Sequence, residues 1–269
     1  MTIAGSDSGG GAGIQADLKT FQELGVFGTT AITALTAQNT LGVEGIHPIP
    51  ADFVVQQMIA VFRDMPVKAI KTGMLFSEDI IKAVSQLLAE KDVLVVIDPV
   101  MIAKGGATLL QPNAITALKK YLIPIATVIT PNVPEAAVLS GVTISSEADV
   151  EKAAKVLLQS GLKCVVMKGG HLSGEKAIDT IYFADGTTFM VESKRIQTTQ
   201  THGTGSTFSA ALTAFLAKGL EVKEAVVEAK KFVQLAIRHS LNIGKGHGPT
   251  NHFAYKQFKD EDEVTLVES

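Results

Sequence analysis

The chain has 269 residues, 46% of them hydrophobic, and a formal net charge of −3, with acidic and basic residues scattered along its length. The lack of a basic stripe argues against nucleic acid or an anionic membrane as a partner, and the lack of an apolar run of about 18 residues argues against a membrane-spanning helix. A single cysteine, Cys164, and an N-terminus without the basic and apolar segments of a signal peptide predict a cytoplasmic protein.

Apolar runs typical of strands alternate with amphipathic runs typical of helices along the chain. In the first hundred or so residues, the pattern predicts strands at residues 2–4, 27–35, 67–71 and 93–97 and helices at 13–24, 51–62 and 77–89. The second part predicts helices at 113–121, 134–140, 147–160, 205–217 and 222–240, strands at 126–129 and 163–167, and a hairpin of 179–183 with 188–192. This order predicts a single α/β domain over residues 1–269, with a mostly parallel central sheet and helices on both faces. Ligands of such sheets bind beyond the carboxyl ends of the strands.

The first candidate site is a glycine cluster between the first strand and the first helix. Residues 4–13 read AGSDSGGGAG, and glycines at such a junction let the backbone approach a ligand closely. The segment lacks the Gly-Lys-Ser/Thr ending of a Walker loop and is not a clean dinucleotide fingerprint. Asp7 and Asp17 flank the turn. A tight turn without a ligand, and an exposed helix position for Asp17, are the alternative interpretations.

The second candidate site is the segment THGTGST at residues 201–207, where small residues begin a helix that then becomes apolar. Successive backbone N–H groups at such a helix start point at one spot, with the positive end of the helix dipole behind them. This arrangement suits a phosphoryl group that is being transferred. A capped helix start without a ligand is the alternative.

Charged and polar residues at other strand ends extend the candidate chemistry. Asp98 follows the strand at 93–97, and Asn132 and Glu135 follow the strand at 126–129. Carboxylates at such positions can hold Mg²⁺ against ATP phosphates. Lys168 ends a further strand just before two glycines and can neutralise phosphate charge. For each residue by itself, a helix cap or a solvated surface charge is the alternative.

Together these segments resemble the phosphomethylpyrimidine kinase family of the ribokinase superfamily. The matching segments span residues 4–253 in the family's order: AGSDSGGGAGIQADLKTFQ, TALTAQNTLGV, KTGML, DPVM, TPNVPEA, MKGGH, THGTG and GHGPTNHF. The resemblance implies a ribokinase-like fold that uses ATP with Mg²⁺. It also implies a homodimer that phosphorylates a hydroxymethylpyrimidine and then its monophosphate in thiamin synthesis.

The resemblance also assigns roles to individual positions. Gln38 is expected to determine specificity, because its amide can both donate to and accept from the edge of an aminopyrimidine. The residues implied to line the pyrimidine pocket are Gly5, Asp7, Asp17, Gln38, Met74, Val100 and Met101; a plain core position is the alternative for the last three. Those implied to contact ATP are Asn132, Lys168, Thr201, Gly203 and Gly205. Asp98 and Glu135 are implied to arrange Mg²⁺, and the implied catalytic group is Gly203, Gly205, Ser206 and Lys168.

One position departs from the family pattern. The family typically has cysteine, and the wider superfamily an aspartate base, where this chain has Ser206. A serine hydroxyl is far less acidic than a thiol, which argues against Ser206 as a general base. The backbone N–H groups remain, and phosphoryl transfer depends mainly on positioning and charge stabilisation. We therefore expect retained, if slower, catalysis.

Two alternatives to this function stay open. Pyridoxal or pyridoxine kinase activity occurs on the same scaffold, alone or beside the pyrimidine activity, and Gln38 favours the pyrimidine. The alternative from another class is a non-catalytic, ligand-binding pseudokinase, which would bind ligands without releasing ADP. Ser206 supports the pseudokinase, whereas Asp98, Glu135 and Lys168 oppose it.

Overall fold

The computed structural model describes residues 1–102, 106, 108–169 and 174–268, so Gly170 and His171 of the MKGGH segment lie outside the described residues. The strands are β1 (Thr2–Asp7), β2 (Thr30–Asn39), β3 (Gly42–Pro48), β4 (Ala69–Thr72), β5 (Leu94–Ile97), β6 (Val128–Ile129), β7 (Cys164–Lys168), β8 (Lys176–Phe183), β9 (Thr188–Lys194) and β10 (Thr265–Glu268). The α-helices are α1 (Gly13–Glu23), α2 (Ala51–Phe62), α3 (Glu78–Leu88), α4 (Pro112–Ala117), α5 (Val133–Ser140), α6 (Glu147–Leu158), α7 (Thr204–Ala217), α8 (Val222–Arg238) and α9 (Ala254–Gln257).

All of these strands belong to one sheet, in the order β10-β9-β8-β7-β6-β5-β4-β1-β2-β3. The six central strands from β7 to β2 pair in parallel. Antiparallel strands extend both sides, with β3 beyond β2 and β8, β9 and β10 beyond β7. The predicted α/β class with a mostly parallel centre is therefore confirmed, and so is the hairpin of β8 and β9.

Alternate residues of the central strands enter two separate cores. In β5, Val95 and Ile97 pack with helices α2 to α6 on one face, whereas Val96 packs with α1, α7, α8 and α9 on the other. A strand covered on both faces needs apolar residues at successive positions, which explains the continuous apolar run of β5. None of the described helices has the length and apolar character needed to cross a membrane.

The structure departs from the predicted elements mainly at the sheet edges. Strand β3, with the sequence GVEGIHP, and strand β10, with the sequence TLVE, carry little apolar alternation and form by pairing with β2 and β9. Strands β1 and β2 both run further than predicted, so that Asp7 and Gln38 lie within strands. The helix predicted at 113–121 ends as α4 at Ala117 and continues in a π-helical turn.

Candidate active site

An ion pair lies at the carboxyl edge of the sheet, opposite the start of α7. Asp98 follows β5 and Lys168 ends β7, and the Nζ of Lys168 lies 3.3 Å from the Oδ1 of Asp98. A Cβ atom placed on Gly205 would lie 3.3 Å from this Nζ and 3.7 Å from both carboxylate oxygens of Asp98. Residues 98, 168 and 205, far apart in sequence, therefore surround one small volume.

The first turn of α7 presents unused backbone donors to this volume. The helix follows Gly203, whose φ of +78° lies in the left-handed region that glycine favours. The N–H groups of Gly205 and Ser206 donate to no group within the described ranges, as expected for the first turn of a helix. These donors, with the positive end of the helix dipole, can bind an anion beside Lys168.

Asp7 organises the glycine loop between β1 and α1. Its Oδ1 accepts a hydrogen bond from the N–H of Gly9 (2.8 Å), and its Oδ2 accepts from Gly11 (3.1 Å) and Ala12 (2.8 Å). The Oδ2 also lies 2.9 Å from the Nε2 of His202. Burial alone would raise the pKa of Asp7, but the hydrogen bonds from His202 and the loop hold it below its usual range. The carboxylate of Asp7 therefore holds the conformation of the loop, while its predicted contact with the pyrimidine stays a prediction.

The glycine loop and the start of α7 touch each other. A Cβ atom on Gly203 would overlap the carbonyl oxygen of Gly11, so only glycine fits at this approach. Thr201 lies just before the helix, where its carbonyl oxygen accepts from the hydroxyl of Thr204 at 2.7 Å. The two candidate sites of the sequence, the glycine cluster and the THGTG segment, therefore form one continuous surface.

Asn132 and Glu135 form a reciprocal cap at the start of α5. The N–H of Glu135 donates to the Oδ1 of Asn132 (2.9 Å), and the N–H of Asn132 donates to the Oε2 of Glu135 (2.8 Å). Burial raises the pKa of Glu135 to about 7; Lys168 opposes this rise and the Asp98 carboxylate adds to it. The helix-cap alternative is thus present in the structure, and Glu135 also interacts electrostatically with the ion pair.

Lys168 remains a cation in this setting. Burial alone would lower its pKa, but the carboxylates of Asp98 and Glu135 outweigh burial and raise it above its usual value. Lys168 ends β7, its side chain is 16% exposed and its Nζ lies 3.3 Å from the Oδ1 of Asp98, so it is not the solvated lysine at a turn of the alternative. A fixed positive charge stands beside the free amides of α7, where a phosphate would otherwise meet two carboxylates.

The carboxylates suit Mg²⁺ bound together with a nucleotide. Asp98 is 2% exposed, and its Oδ2 has no hydrogen-bond partner within the described residues. No group of three or more His, Cys, Asp or Glu side chains able to hold a metal occurs among those residues. Mg²⁺ usually keeps several waters and binds through one or two carboxylates plus substrate phosphates. The pair of Asp98 and Glu135 fits that pattern, with the nucleotide supplying further ligands.

A small apolar cluster lies next to β1. Met74, Ala34 and Leu109 are buried together, and Val100 packs against them. A Cβ atom on Gly5 would lie 2.8 Å from the Cε of Met74, so glycine at position 5 leaves the space that Met74 occupies. The structure therefore brings together Gly5, Met74 and Val100, which were predicted to surround a pyrimidine ring.

Asp17 and Met101, also predicted for that pocket, are not part of this apolar cluster. Asp17 is fully buried: the Nζ of Lys71 lies 2.9 Å from each of its oxygens, and the hydroxyl of Thr2 donates to it at 2.6 Å. This enclosed carboxylate is not the exposed helix residue of the alternative, and its predicted contact with the pyrimidine stays a prediction. Met101 belongs to the larger core that α2 to α6 cover, which agrees with the core alternative.

Gln38 lies near the end of β2, and its side-chain amide is held between two polar groups. The hydroxyl of Thr36 lies 3.2 Å from the Oε1 of Gln38, and the Nε2 of His202 lies 3.4 Å from the Nε2 of Gln38. Gln38 is half-buried. It is therefore accessible at the edge of the sheet, on the side of the glycine loop.

Sequence reasoning missed two residues of this region. Lys71 is fully buried and pairs with Asp17; the signal was a lysine next to apolar residues in the strand predicted at 67–71. His202 received no role, although it lies in the THGTG segment and its ring contacts Asp7, Gly11 and Gln38. Nothing in the spacing of His202 and Asp7, 195 residues apart, could have revealed their contact.

Known proteins are similar to this chain in sequence over most of their length. The model of a family described as phosphomethylpyrimidine kinase matches residues 7–251. A hydroxymethylpyrimidine/phosphomethylpyrimidine kinase of Haemophilus influenzae is 56% identical over 261 residues, which cover 96% of this chain and 97% of that protein. One of Bacillus subtilis is 54% identical over 259 residues, which cover 96% of this chain and 95% of that protein.

Among solved structures, the pyridoxal kinase of Staphylococcus aureus in complex with AMP-PCP and pyridoxal superposes with a TM-score of 0.90 at 39% sequence identity. The match covers 100% of this chain and 98% of that chain. The ribokinase-like fold that the sequence segments implied is therefore confirmed.

Proposed function

Because the chain belongs to the phosphomethylpyrimidine kinase family, we propose that it transfers the γ-phosphate of ATP to 4-amino-5-hydroxymethyl-2-methylpyrimidine and then to the resulting monophosphate, in thiamin biosynthesis. One kinase domain over residues 1–269 carries both steps. The observation on which this depends most is the contact between the start of α7 and the ion pair of Asp98 and Lys168.

In this proposal the start of α7 binds the phosphoryl group in transfer. The free N–H groups of Gly205 and Ser206 donate to its oxygens, while Lys168 offsets their charge. Gly203 supports this role because it lets α7 approach the glycine loop. Asp98 and Glu135 hold Mg²⁺, which supplies further neutralisation of phosphate charge when it is bound with ATP.

The other phosphates of ATP extend from this point toward the starts of two helices. Asn132 at the start of α5 and Thr201 before α7 flank Lys168 and Gly205, and the backbone of Asn132 bridges to that of Lys168. The S. aureus pyridoxal kinase, which has this fold, was solved with the ATP analogue AMP-PCP. We assign these residues to ATP binding on that basis.

In this proposal the pyrimidine binds in a cleft beside β1, between Gln38 and the cluster of Met74 and Val100. Gln38 reads the aminopyrimidine edge, and the ring lies near Met74 and Val100, next to Gly5. Glycine at position 5 leaves room for the Met74 side chain to pack against β1. Asp7 contributes by holding the glycine loop closed around this cleft.

Proton removal from the substrate hydroxyl needs little from Ser206. The transition state of phosphoryl transfer is loose, so positioning and charge stabilisation provide most of the acceleration. The amides, Lys168 and the carboxylates remain in place around position 206. This argues against the pseudokinase, for which Ser206 was the sole support.

Pyridoxal phosphorylation is the second candidate. The similarity to the S. aureus pyridoxal kinase, solved with pyridoxal bound, favours it. The 54–56% identity to hydroxymethylpyrimidine/phosphomethylpyrimidine kinases over nearly the whole chain favours the pyrimidine. We propose the pyrimidine as the main substrate, with pyridoxal as a weaker one.

The family resemblance also supports a homodimer in the cytoplasm. Strand β3 is an edge of the described sheet, and Leu41 beside it is 70% exposed; the unpaired backbone groups of such an edge can pair with a second copy of this chain. A buried, unpaired Cys164 suits a reducing compartment. Light scattering coupled to size-exclusion chromatography measures the oligomeric state, and a monomer at micromolar concentration would refute the dimer.

An ADP-release assay tests the function. Hydroxymethylpyrimidine, its monophosphate and pyridoxal are compared at equal concentrations with ATP and Mg²⁺, and the products are identified by mass spectrometry. We expect turnover of both pyrimidines and a lower kcat/KM for pyridoxal. Tight binding of all three without ADP release would establish the pseudokinase instead, and a preference for pyridoxal would establish the second candidate.

A further inference from the structure

His202 stands between the glycine loop and Gln38. Its Nε2 lies 2.9 Å from the Oδ2 of Asp7 and 3.4 Å from the side-chain nitrogen of Gln38. The ring packs on Gly11, where an added Cβ would lie 2.5 Å from the Cδ2 of His202. His202 is 9% exposed, so its ring has little freedom to turn away from these neighbours.

The contact with Asp7 fixes which ring nitrogen carries a proton. An ionised carboxylate can only accept hydrogen bonds, and the hydrogen bonds to Asp7 keep the pKa of Asp7 below its usual range. The Nε2 of His202 must therefore carry a hydrogen and donate it to Asp7. An Nε2 that donates has no lone pair left to accept a hydrogen bond from Gln38.

This constraint decides the orientation of the Gln38 amide. With its NH₂ group toward His202, two donors would face each other at 3.4 Å. The hydroxyl of Thr36 would also have to share its one hydrogen between the Oε1 of Gln38 (3.2 Å) and the carbonyl oxygen of Ser6 (2.9 Å). A half-turn of the amide, which exchanges O and N at nearly the same positions, removes both conflicts.

After that half-turn every polar contact is consistent. Thr36 donates to Ser6 and accepts from the NH₂ group of Gln38, and the carbonyl oxygen of Gln38 becomes a second acceptor for the N–H of His202. One N–H and one carbonyl lone pair of Gln38 are then left for a ligand, each on a defined side of the amide. With its donor and its acceptor in a fixed order, the Gln38 amide can distinguish the edge of an aminopyrimidine from the edges of other rings.

We infer that His202, held by Asp7, is a positioning residue that sets the donor and acceptor order of Gln38 and thereby favours an aminopyrimidine over pyridoxal. The inference rests on the proposed function, since it explains the substrate preference of that same cleft. His202 itself acts through Gln38 and needs no contact with the substrate.

A double-mutant cycle in the full-length enzyme tests this role. The variants are His202→Phe, which keeps a ring on Gly11 but removes the N–H, Gln38→Leu, and the double variant. The quantity measured is kcat/KM for hydroxymethylpyrimidine divided by kcat/KM for pyridoxal. We expect His202→Phe to lower this ratio by about tenfold or more, and the double variant to lower it no further than Gln38→Leu alone.

A matched control separates this effect from general damage near α7. His252 is another buried histidine and lies 3.1 Å from the hydroxyl of Thr207. His252→Phe should leave the ratio within about twofold of the parent. An unchanged ratio in His202→Phe, or losses that add in the double variant, would overturn the inference.

A direct readout of the ring nitrogens makes the test independent of activity. Nitrogen-15 NMR of the histidine-labelled protein should show a proton on the Nε2 of His202. A neutral ring protonated only at Nδ1 would overturn the inference. If the parent enzyme phosphorylates no pyrimidine, the proposed function fails, and the NMR result still decides the proton position by itself.

Discussion

At the scale of single residues, the pair of Asp98 and Lys168 sets how much negative charge the cleft presents to ATP. Without Lys168, the carboxylates of Asp98 and Glu135 would face the phosphates with no fixed cation between them. The Asp98 carboxylate raises the pKa of Lys168 and thus keeps it protonated. Phosphoryl transfer is accelerated mainly by such charge stabilisation, so the kinetic role of Lys168 should be large.

Replacing Lys168 with methionine tests this role. Lys168→Met keeps most of the side-chain volume and removes the charge, so we expect kcat to fall by about 10²- to 10³-fold. Lys163→Met is the matched control, because Lys163 is exposed just before the opposite end of the same strand. Steady-state ADP release measures both variants. Equal effects of the two substitutions would show that Lys168 has no special place in the reaction.

Ser206 gives a second prediction about a single atom. If the helix start acts through its backbone amides, Ser206→Cys should change kcat by no more than about tenfold, because the free N–H groups stay where they are. The pH profile of kcat for the two enzymes should also keep the same shape. A gain of several hundredfold, with a new thiol titration in the profile, would show that a general base at this position matters.

The buried pair of Asp17 and Lys71 is expected to contribute strongly to stability. Asp17→Asn leaves the Lys71 ammonium buried without its partner, so we expect the free energy of unfolding to fall by about 3–5 kcal/mol. Adding Lys71→Met should recover much of this loss. Urea denaturation followed by circular dichroism measures it. The control Glu151→Gln removes an exposed pair with Lys155 and should change little; a similarly small effect of Asp17→Asn would contradict this account.

At the scale of elements, the sequence predicts central strands better than edge strands. The helix at 51–62 matches α2 at both ends, and the apolar run of β5 correctly placed Asp98 at a strand end. Strands β3 and β10 were missed because they lack an alternating apolar pattern of their own. They form by pairing with β2 and β9. The partners of Asp17 and Asp7 were missed for a similar reason: burial and long-range contacts are absent from local spacing.

The C-terminal segment that packs on α7 makes the stability of the protein sensitive to acid. The Nε2 of His252 lies 3.1 Å from the hydroxyl of Thr207, and burial, followed by the charge of Lys19 and the ring of His202, lowers the pKa of His252 from 6.5 to about 4. The folded state therefore resists protonation of His252. The stabilisation that neutral His252 contributes is complete above pH 6.5 and is lost as the pH falls toward 4.

The variant His252→Gln removes that titration. Between pH 7 and pH 4, the free energy of unfolding of the parent should fall by about 3 kcal/mol more than that of the variant. Urea denaturation at several pH values measures the difference. His47→Gln, at an exposed histidine of β3, should instead follow the parent at every pH; parallel curves for the parent and His252→Gln would contradict the prediction.

At the scale of the whole molecule, one sheet explains why residues scattered over the sequence form one cleft. The parallel strands β2, β1, β5 and β7 end at the same edge, and they carry Gln38, Asp7, Asp98 and Lys168 there. Helix α7 then crosses the edge with its start facing Asp98. The sequence shows in which order the candidate sites follow one another along the chain. Which of them contact each other depends on the order of strands in the sheet, where β1 lies between β4 and β2.

The most direct measurement is a crystal structure with AMP-PCP, Mg²⁺ and hydroxymethylpyrimidine bound together. Oxygens of the terminal phosphate should lie within about 3.2 Å of the amide nitrogens of Gly205 and Ser206, with the hydroxymethyl group of the substrate facing the phosphorus. A terminal phosphate bound away from the start of α7, with those two amides unused, would show that this helix start does not bind the phosphoryl group in transfer.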